Sequence, residues 1–243
     1  MRVGYVNQVF TNSISSNSLT PGFPAINIQD PRMSRKWQAL ATGINYVDVG
    51  TVAITASMAC INAHNAVSGD TLKLEGYSDS GRTSLSVSHT FTLIEYGTAI
   101  VFTEATLYWR FAFNTVPIIE VGGLFLGDNL ILPSYEIGHS FSEVANDDFY
   151  ISDTQQLYGI NKSNYRKASY LLPITTWDEK DEITTFWKAM GRSTAFYLLQ
   201  YPDRQDLRRL FYCRLLNEEL LWQEHEKNIQ LYKDLVINIQ EVF

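Results

Sequence analysis

The chain has few of the residues that build covalent or metal-bound scaffolds. Its 243 residues include two cysteines, Cys60 and Cys213, and four histidines. The cysteines form no CxxC pair and each lies among apolar residues, so we expect two buried, unlinked thiols rather than a disulfide framework. The histidines show no HxH, HxxxH or HExxH spacing, and the sequence therefore predicts no metal site and no cofactor.

Long hydrophobic runs and a basic leader are missing as well. No stretch approaches about 18 consecutive apolar residues, which predicts no membrane insertion. The chain begins with MRVGYVNQVF. Because no basic segment followed by an apolar one occurs there, we expect that the chain is not a secretory precursor. We expect a protein that is synthesised in a reducing cytoplasm and kept there until it is assembled.

Basic residues are outnumbered by acidic ones. The chain has 19 Lys and Arg against 26 Asp and Glu, a formal net charge of -7. A diffuse acidic balance does not attract phosphates, which argues against nucleic-acid partners and anionic membrane surfaces. The hydrophobic fraction of 45% is typical of a globular protein, and the aromatic fraction of 13% favours β structure.

The motifs of common enzyme classes are lacking too. No GxSxG elbow, GxxxxGK[ST] phosphate loop or GxGxxG dinucleotide turn occurs. The neighbouring carboxylates Asp147 and Asp148 are better explained as a solvated turn than as a glycosidase pair. The sequence therefore predicts no catalytic residue and no enzyme.

Strand-like segments dominate the first part of the chain. Stretches such as YVDVGTVAITASMACINAH and HTFTLIEYGTAIVFTE are rich in β-branched and aromatic residues, and Gly, Ser and Asp turns separate them. Short strands at this spacing are typical of an all-β sandwich. The stretch GDNLILPSYEIGHS breaks the pattern near 133–138 and predicts two domains, 1–133 and 134–243.

One clear helix is predicted in the second part, at about 177–190. Thr176 is a natural N-cap, and Glu179 three positions later completes a capping box. Acidic residues crowd the first turns, where the helix dipole favours them, so no acid–base role is needed to explain them. The packing face is formed by Ile183, Phe186, Trp187 and Met190.

Five segments of the first part carry a resemblance when they are taken in order. They are FPAINIQDPRMSRKWQA (23–39), INYVDVG (44–50), ACINAHN (59–65), GDTLKLEGYSDSG (69–81) and YWRFAFN…IIEVGGLFLGD (108–128). Together they resemble galactose-binding-like, or discoidin-like, jelly rolls, in particular the version in minor tail proteins of tailed phages. The resemblance implies that Trp109 and Phe111 lie on one face of a sandwich strand and Tyr108 and Arg110 on the other. One set would fill the core, while Arg110 reaches a polar rim or a carboxylate.

The second part resembles a domain of distal tail and tail-tip proteins of long-tailed phages. The shared order is NYRKASYLLP, the helix DEITTFWKAMG, AFYLLQYPD and a final strand pair. The resemblance implies a tail-tube-like β-sandwich with one helix, so the predicted fold class is mainly β throughout. The known distal tail proteins carry this domain first, whereas here it follows the jelly roll.

The first functional hypothesis is a structural virion protein in a phage tail tip. Copies would form a homo-oligomeric ring, by resemblance a hexamer, that joins tail tube to tip proteins in the virion tail. The final strand could pair with a neighbouring copy, or it could simply close its own sheet. The candidate interface residues on this strand are Leu231, Leu235, Ile237 and Ile239.

The alternative hypothesis is a carbohydrate-binding module that recognises a host-surface glycan. Galactose-binding-like folds commonly bind glycans through loops at one end, which would here be 27–38, 64–70 and 77–84. A stacking role is open for Tyr108 or Trp37, although the domain could also be a mere spacer. A glycosidase or esterase has no supporting residues. The candidate glycan-binding residues are Asn27, Asp30, Arg32, Arg35 and Trp37.

Overall fold

The chain is rich in short antiparallel strands. The computed structural model describes residues 1–67, 69–93, 97–133, 139–145, 147–151, 157–160, 164–173, 176–202, 209–222 and 235–242. The first strands are β1 (Arg2–Gly4), β2 (Ile14–Ser16), β3 (Trp37–Gln38), β4 (Gly43–His64), β5 (Thr71–Tyr77), β6 (Leu85–Thr92), β7 (Thr98–Thr115), β8 (Glu120–Gly127) and β9 (Asn129–Ile131). The later strands are β10 (Ser140–Val144), β11 (Asp148–Ile151), β12 (Leu157–Ile160), β13 (Tyr165–Leu172), β14 (Phe196–Gln200), β15 (Arg209–Leu215) and β16 (Leu235–Glu241). The α-helices are α1 (Gln8–Thr11) and α2 (Trp177–Met190), and Ala25–Gln29 forms a 3-10 helix.

These elements form two compact units. Unit 1 comprises Met1–Ile131, Tyr197–Phe211 and Phe243, and unit 2 comprises Leu132–Phe196 and Tyr212–Val242. Strands dominate both units, so the predicted mainly β fold class is confirmed. Among the described residues, no helix has the length and apolar character needed to cross a membrane.

Two long strands, β4 and β7, build a β-sandwich in unit 1. The first part of β4, up to Val49, pairs with the last part of β7 and with β2, whereas the part from Ile54 onward pairs with the first part of β7. That second part also pairs with β8. Both parts of β4 supply apolar side chains to the same buried cluster, so they belong to two layers that face each other across one core.

The core of this sandwich is aromatic. Trp109, Phe111 and Phe113 alternate along β7 and are fully buried, which confirms the predicted alternation. The ring of Trp37 packs against Phe113 at a centroid distance of 5.6 Å. The indole N–H of Trp109 donates to the Ile54 carbonyl at 2.8 Å, so this buried donor is satisfied.

A third ladder of strands, ordered β9-β1-β14, covers the outer side of one sandwich layer within unit 1. Phe125 of β8 packs against Tyr197 of β14 at a centroid distance of 5.4 Å, and the Tyr197 hydroxyl donates to Asn62 at 3.0 Å. A Cβ on Gly4 would lie 2.5 Å from the Phe125 ring. Glycine at this position therefore allows the β1 backbone to pass directly over the ring.

The carboxylate of Asp48 lies close to the point where β4 stops pairing with β2 and the last part of β7 and begins to pair with β8 and the first part of β7. Asp48 accepts two hydrogen bonds from Arg110 of β7, at 2.6 and 3.1 Å, and it also pairs with Arg82 at 3.3 Å. Arg82, which follows β5, donates to the carbonyls of Val49 and Gly50 at 3.1 and 2.7 Å. We call Asp48, Arg82 and Arg110 the corner cluster. Arg110 thus reaches a carboxylate, as predicted.

Unit 2 contains the predicted helix. The capping box is present, because Thr176 accepts from the Glu179 N–H and the Glu179 side chain accepts from the Thr176 N–H. Phe186 lies on the buried face of α2 with Ile183 and Met190, and its ring meets Phe196 edge-on at 5.0 Å. The helix therefore packs through the predicted apolar stripe.

The final strand does not offer a free edge. β16 pairs with β13 on one side and with β15 on the other, and Leu235, Ile237 and Ile239 are buried within unit 2. Both rows of backbone groups are already occupied, so the prediction that this strand pairs with a neighbouring copy is wrong. The strand closes its own sheet instead. Leu231 lies outside the described residues.

We predict that Asp48→Asn destabilises unit 1 more than the loss of an exposed ion pair would. At most 19% of any side chain in the corner cluster is exposed, so the substitution leaves two poorly solvated arginines without a counter-charge. The expected loss in free energy of unfolding is about 2 to 3 kcal/mol in urea titrations at neutral pH.

The matched control is Glu218→Gln, which removes the partner of Arg192 from a pair whose glutamate side chain is 79% exposed. This variant is expected to lose less than about 0.5 kcal/mol. Equal losses in the two variants would show that the corner cluster contributes no more than a surface pair.

Candidate functional site

The three predicted glycan-binding loops do not lie at one end of the sandwich. Loop 64–70 precedes β5 and loop 77–84 follows it, and a strand of this length separates its ends by roughly 20 Å. Arg82 holds the 77–84 turn beside Val49 and Gly50. The prediction of one shared loop end is therefore wrong for 77–84.

Loops 27–38 and 64–70 do meet, and Glu120 at the start of β8 is their meeting point. The side chain of Asn65 accepts from the Glu120 N–H and donates to the Ile118 carbonyl, both at 2.8 Å. The carboxylate of Glu120 in turn accepts from Lys36 at 3.2 Å and from Gln38 at 2.9 Å. The end of the sandwich that carries loop 64–70 is thus the end that carries 27–38.

Two of the predicted glycan-binding residues build this loop rather than face solvent. Trp37 is fully buried, and its indole N–H donates to the Ser18 carbonyl at 3.0 Å, so the structure leaves no ring face for a sugar to stack on. Asn27 is half-buried and donates to the Lys36 carbonyl at 2.9 Å. Both side chains fix the shape of loop 27–38.

The other three predicted residues form an ionic cluster. Asp30 accepts two side-chain bonds from Arg32, at 2.8 and 2.6 Å, and one from the Arg32 backbone N–H at 2.9 Å. Arg35 approaches the same carboxylate through Nε at 3.3 Å. The bonds from Arg32, above all those from its side chain, lower the pKa of the Asp30 carboxyl far below its ordinary value.

Exposed apolar side chains lie on the neighbouring segment. The Phe23 side chain is 42% exposed and Ile26 is also exposed. The Phe23 carbonyl accepts from the Gln38 N–H at 3.3 Å, which brings this segment to the polar row that Glu120 organises. We call the resulting set the loop surface; it consists of Phe23, Asp30, Arg32, Arg35, Lys36, Gln38 and Glu120.

The loop surface differs from the corner cluster in what its cations can still bind. Arg110 lies 3.8 Å above the Tyr46 ring and is bound twice by Asp48, and Tyr77 beside it is buried. Burial and the hydrogen bond to Glu75 raise the pKa of Tyr77 to about 12. These groups are engaged with one another, so the corner cluster is a structural feature. Tyr108 is half-buried opposite Tyr77, and its stacking role stays a prediction.

Sequence reasoning missed Phe23, Lys36, Gln38 and Glu120. All four lie inside the segments that carry the jelly-roll resemblance, so their position was visible but their exposure and mutual contacts were not. The stacking role that the sequence left open for Trp37 requires an exposed ring, whereas cross-strand pairing with Val121 places it in the core. Within the described ranges, no three His, Cys, Asp or Glu residues are grouped so as to hold a metal ion.

No family model and no curated protein matches the chain. A solved chitosan-binding module from a chitosanase/glucanase of Paenibacillus sp. IK-5 is 20% identical, with coverage of 50% of this chain and 98% of the module and a TM-score of 0.44. A Streptococcus pneumoniae fucose binding module is 11% identical, with coverage of 51% and 95% and a TM-score of 0.44. The family 32 carbohydrate-binding module of C. perfringens NanJ, solved with galactose, is 12% identical, with coverage of 52% and 98% and a TM-score of 0.40. Likeness at this level does not identify a ligand for this chain.

We predict that Asp30 stays ionised to unusually low pH. The Asp30 carboxylate orders its loop at any pH above the ordinary aspartate pKa of about 4. Because the pKa of Asp30 is lowered in the folded state, this ordering is lost only as the pH falls through the lower, folded-state pKa. The carboxyl carbon of Asp30, followed by NMR, should show no titration step between about pH 6 and pH 3.

Arg32→Gln is expected to move that step back towards about pH 4. Asp79 provides the control, because backbone N–H groups of Thr83 and Ser84 lower its pKa and its titration should not respond to Arg32→Gln. An Asp30 step near the ordinary value in the unmodified protein would contradict the ion-pair geometry.

Proposed function

We propose that unit 1 binds a carbohydrate through the loop surface. The observation that carries the proposal is an exposed aromatic residue, Phe23, whose backbone carbonyl accepts from Gln38. Gln38 belongs to a polar row in which its side chain and that of Lys36 both donate to Glu120. Sugars present both an apolar face and hydroxyl groups. A site that combines an aromatic ring with directed donors and acceptors therefore satisfies both parts of a sugar.

The polar row is held in place before any ligand arrives. Glu120 is fixed by Asn65 through its backbone N–H and by two side-chain donors through its carboxylate. Asn27 ties the Lys36 carbonyl to the preceding helical turn, and Trp37 between Lys36 and Gln38 is buried. Such preorganisation reduces the entropy that binding would otherwise lose on ordering these side chains.

The similar solved structures include modules named for binding chitosan and fucose and one solved with galactose. Those ligands belong to those proteins. The proposal for this chain depends on its own residues, and the identity of the sugar is left to experiment. For a phage tail protein, the bound carbohydrate would be a glycan on the host surface.

The tail-tip role stays a prediction from resemblance. A homo-oligomeric ring between tail tube and tip, here a hexamer in the virion tail, would have to use a surface other than β16, since both neighbours of that strand come from its own chain. The native mass of the protein in solution tests for such a ring. Binding of a saccharide by unit 1 and assembly through another surface are compatible.

Replacement of the exposed ring tests the saccharide proposal. We expect the full chain to bind one or more members of a glycan array. Phe23→Ala should weaken that binding about fivefold or more, because stacking on an aromatic face contributes about 1 kcal/mol or more. Titration calorimetry with the best array ligand measures the change.

Phe141→Ala is the matched control, because Phe141 is 38% exposed and lies in unit 2. Its affinity should equal that of the unmodified protein. An array without any bound saccharide, or equal losses in the two variants, would remove the proposed function.

A further inference from the structure

We infer that Arg35 adapts the loop surface to an anionic saccharide, one that bears a carboxylate or a sulfate ester. The inference rests on the proposed function, since it names the ligand class of the same surface. Its basis is the difference between Arg35 and the other two cations of the loop surface, Arg32 and Lys36.

The loop surface carries a local excess of positive charge. Three cations, Arg32, Arg35 and Lys36, face two carboxylates, Asp30 and Glu120. The whole chain, in contrast, has a net charge of -7. A cationic position on an acidic protein is where a negatively charged ligand meets the least repulsion.

Two of the cations have their own counter-charge. Arg32 forms a bidentate pair with Asp30, and Lys36 donates to Glu120. Each pair neutralises one carboxylate of the surface. Both carboxylates are therefore neutralised and do not repel an incoming anion. The positive charge of Arg35 is the one that is left over on the loop surface.

Arg35 keeps side-chain donors available. Its side chain is 56% exposed and approaches Asp30 through Nε, and within the described residues its two Nη groups donate to no protein acceptor. The backbone N–H of Arg35 donates to the Arg32 carbonyl at 3.0 Å, which places the residue on a turn whose next-but-one residue, Trp37, is buried. Because Arg35 contacts Asp30 through Nε, both of its Nη groups are left for a carboxylate or sulfate, which can accept from them in a two-point bond.

The test compares three trisaccharides that differ in the substituent at C6, which is a carboxylate, a sulfate ester or a neutral hydroxyl group. Trigalacturonate, 6-O-sulfated galactotriose and neutral galactotriose are titrated into the full chain by calorimetry. We expect one or both charged probes to bind at least about tenfold more tightly than the neutral one, since charge-assisted bonds are roughly twice as strong as neutral ones. Arg35→Gln should weaken the charged probes by about tenfold and leave the neutral probe unchanged.

The matched control is Arg192→Gln, because Arg192 is equally exposed, at 56%, and lies in unit 2. It removes the same net charge and should change none of the three affinities. Equal affinity for charged and neutral probes, or an equal loss for both in Arg35→Gln, would overturn the inference while saccharide binding stands. Absence of binding by any saccharide, on the array as well, would overturn the proposed function itself.

Discussion

Asp48 supplies the constraint on which the arrangement of unit 1 depends. Its carboxylate joins Arg110 of β7 to Arg82 beyond β5, at the point where β4 leaves one sandwich layer for the other. Arg82 also binds the carbonyls of Val49 and Gly50, next to the break in the β4–β7 ladder between Val49 and Ile54. Because the corner is fixed in this way, β4 can supply both layers and loop 64–70 emerges at the end opposite to the 77–84 turn. The position of the loop surface follows from that geometry.

The partners around each arginine distinguish the structural arginines of the corner cluster from the arginine of the loop surface that is available for binding. At the corner, two arginines share one carboxylate at low exposure and also bind backbone carbonyls or a tyrosine ring, so their charge is used within the protein. At the loop surface, one arginine holds Asp30 firmly and a second touches it only through Nε. The same residue type is thus structural in one place and available in the other. The difference lies in how many partners the fold brings to each guanidinium.

The sequence predicted those features that short-range patterns determine. Alternation along β7 was sufficient to place Trp109 and Phe111 in the core, and Thr176 with Glu179 was sufficient for the start of α2. It could not show that Trp37 is buried, since this depends on pairing with Val121, which lies far along the chain. Nor could alternation in β16 show that the strand has neighbours on both sides. The loop surface combines both cases. The sequence named Asp30, Arg32 and Arg35, whereas Phe23, Lys36, Gln38 and Glu120 became visible only through long-range contacts.

Amide chemical-shift mapping is the most direct test of saccharide binding at the end of the sandwich formed by loops 27–38 and 64–70. Trigalacturonate and galactotriose are added in turn to the full, isotopically labelled chain. The largest shifts are expected on the amides of Phe23, Arg35, Gln38 and Glu120, while Tyr46 and the 77–84 turn do not respond. Shifts centred on Tyr46 or on that turn, or no shifts with either sugar, would contradict saccharide binding at the loop surface.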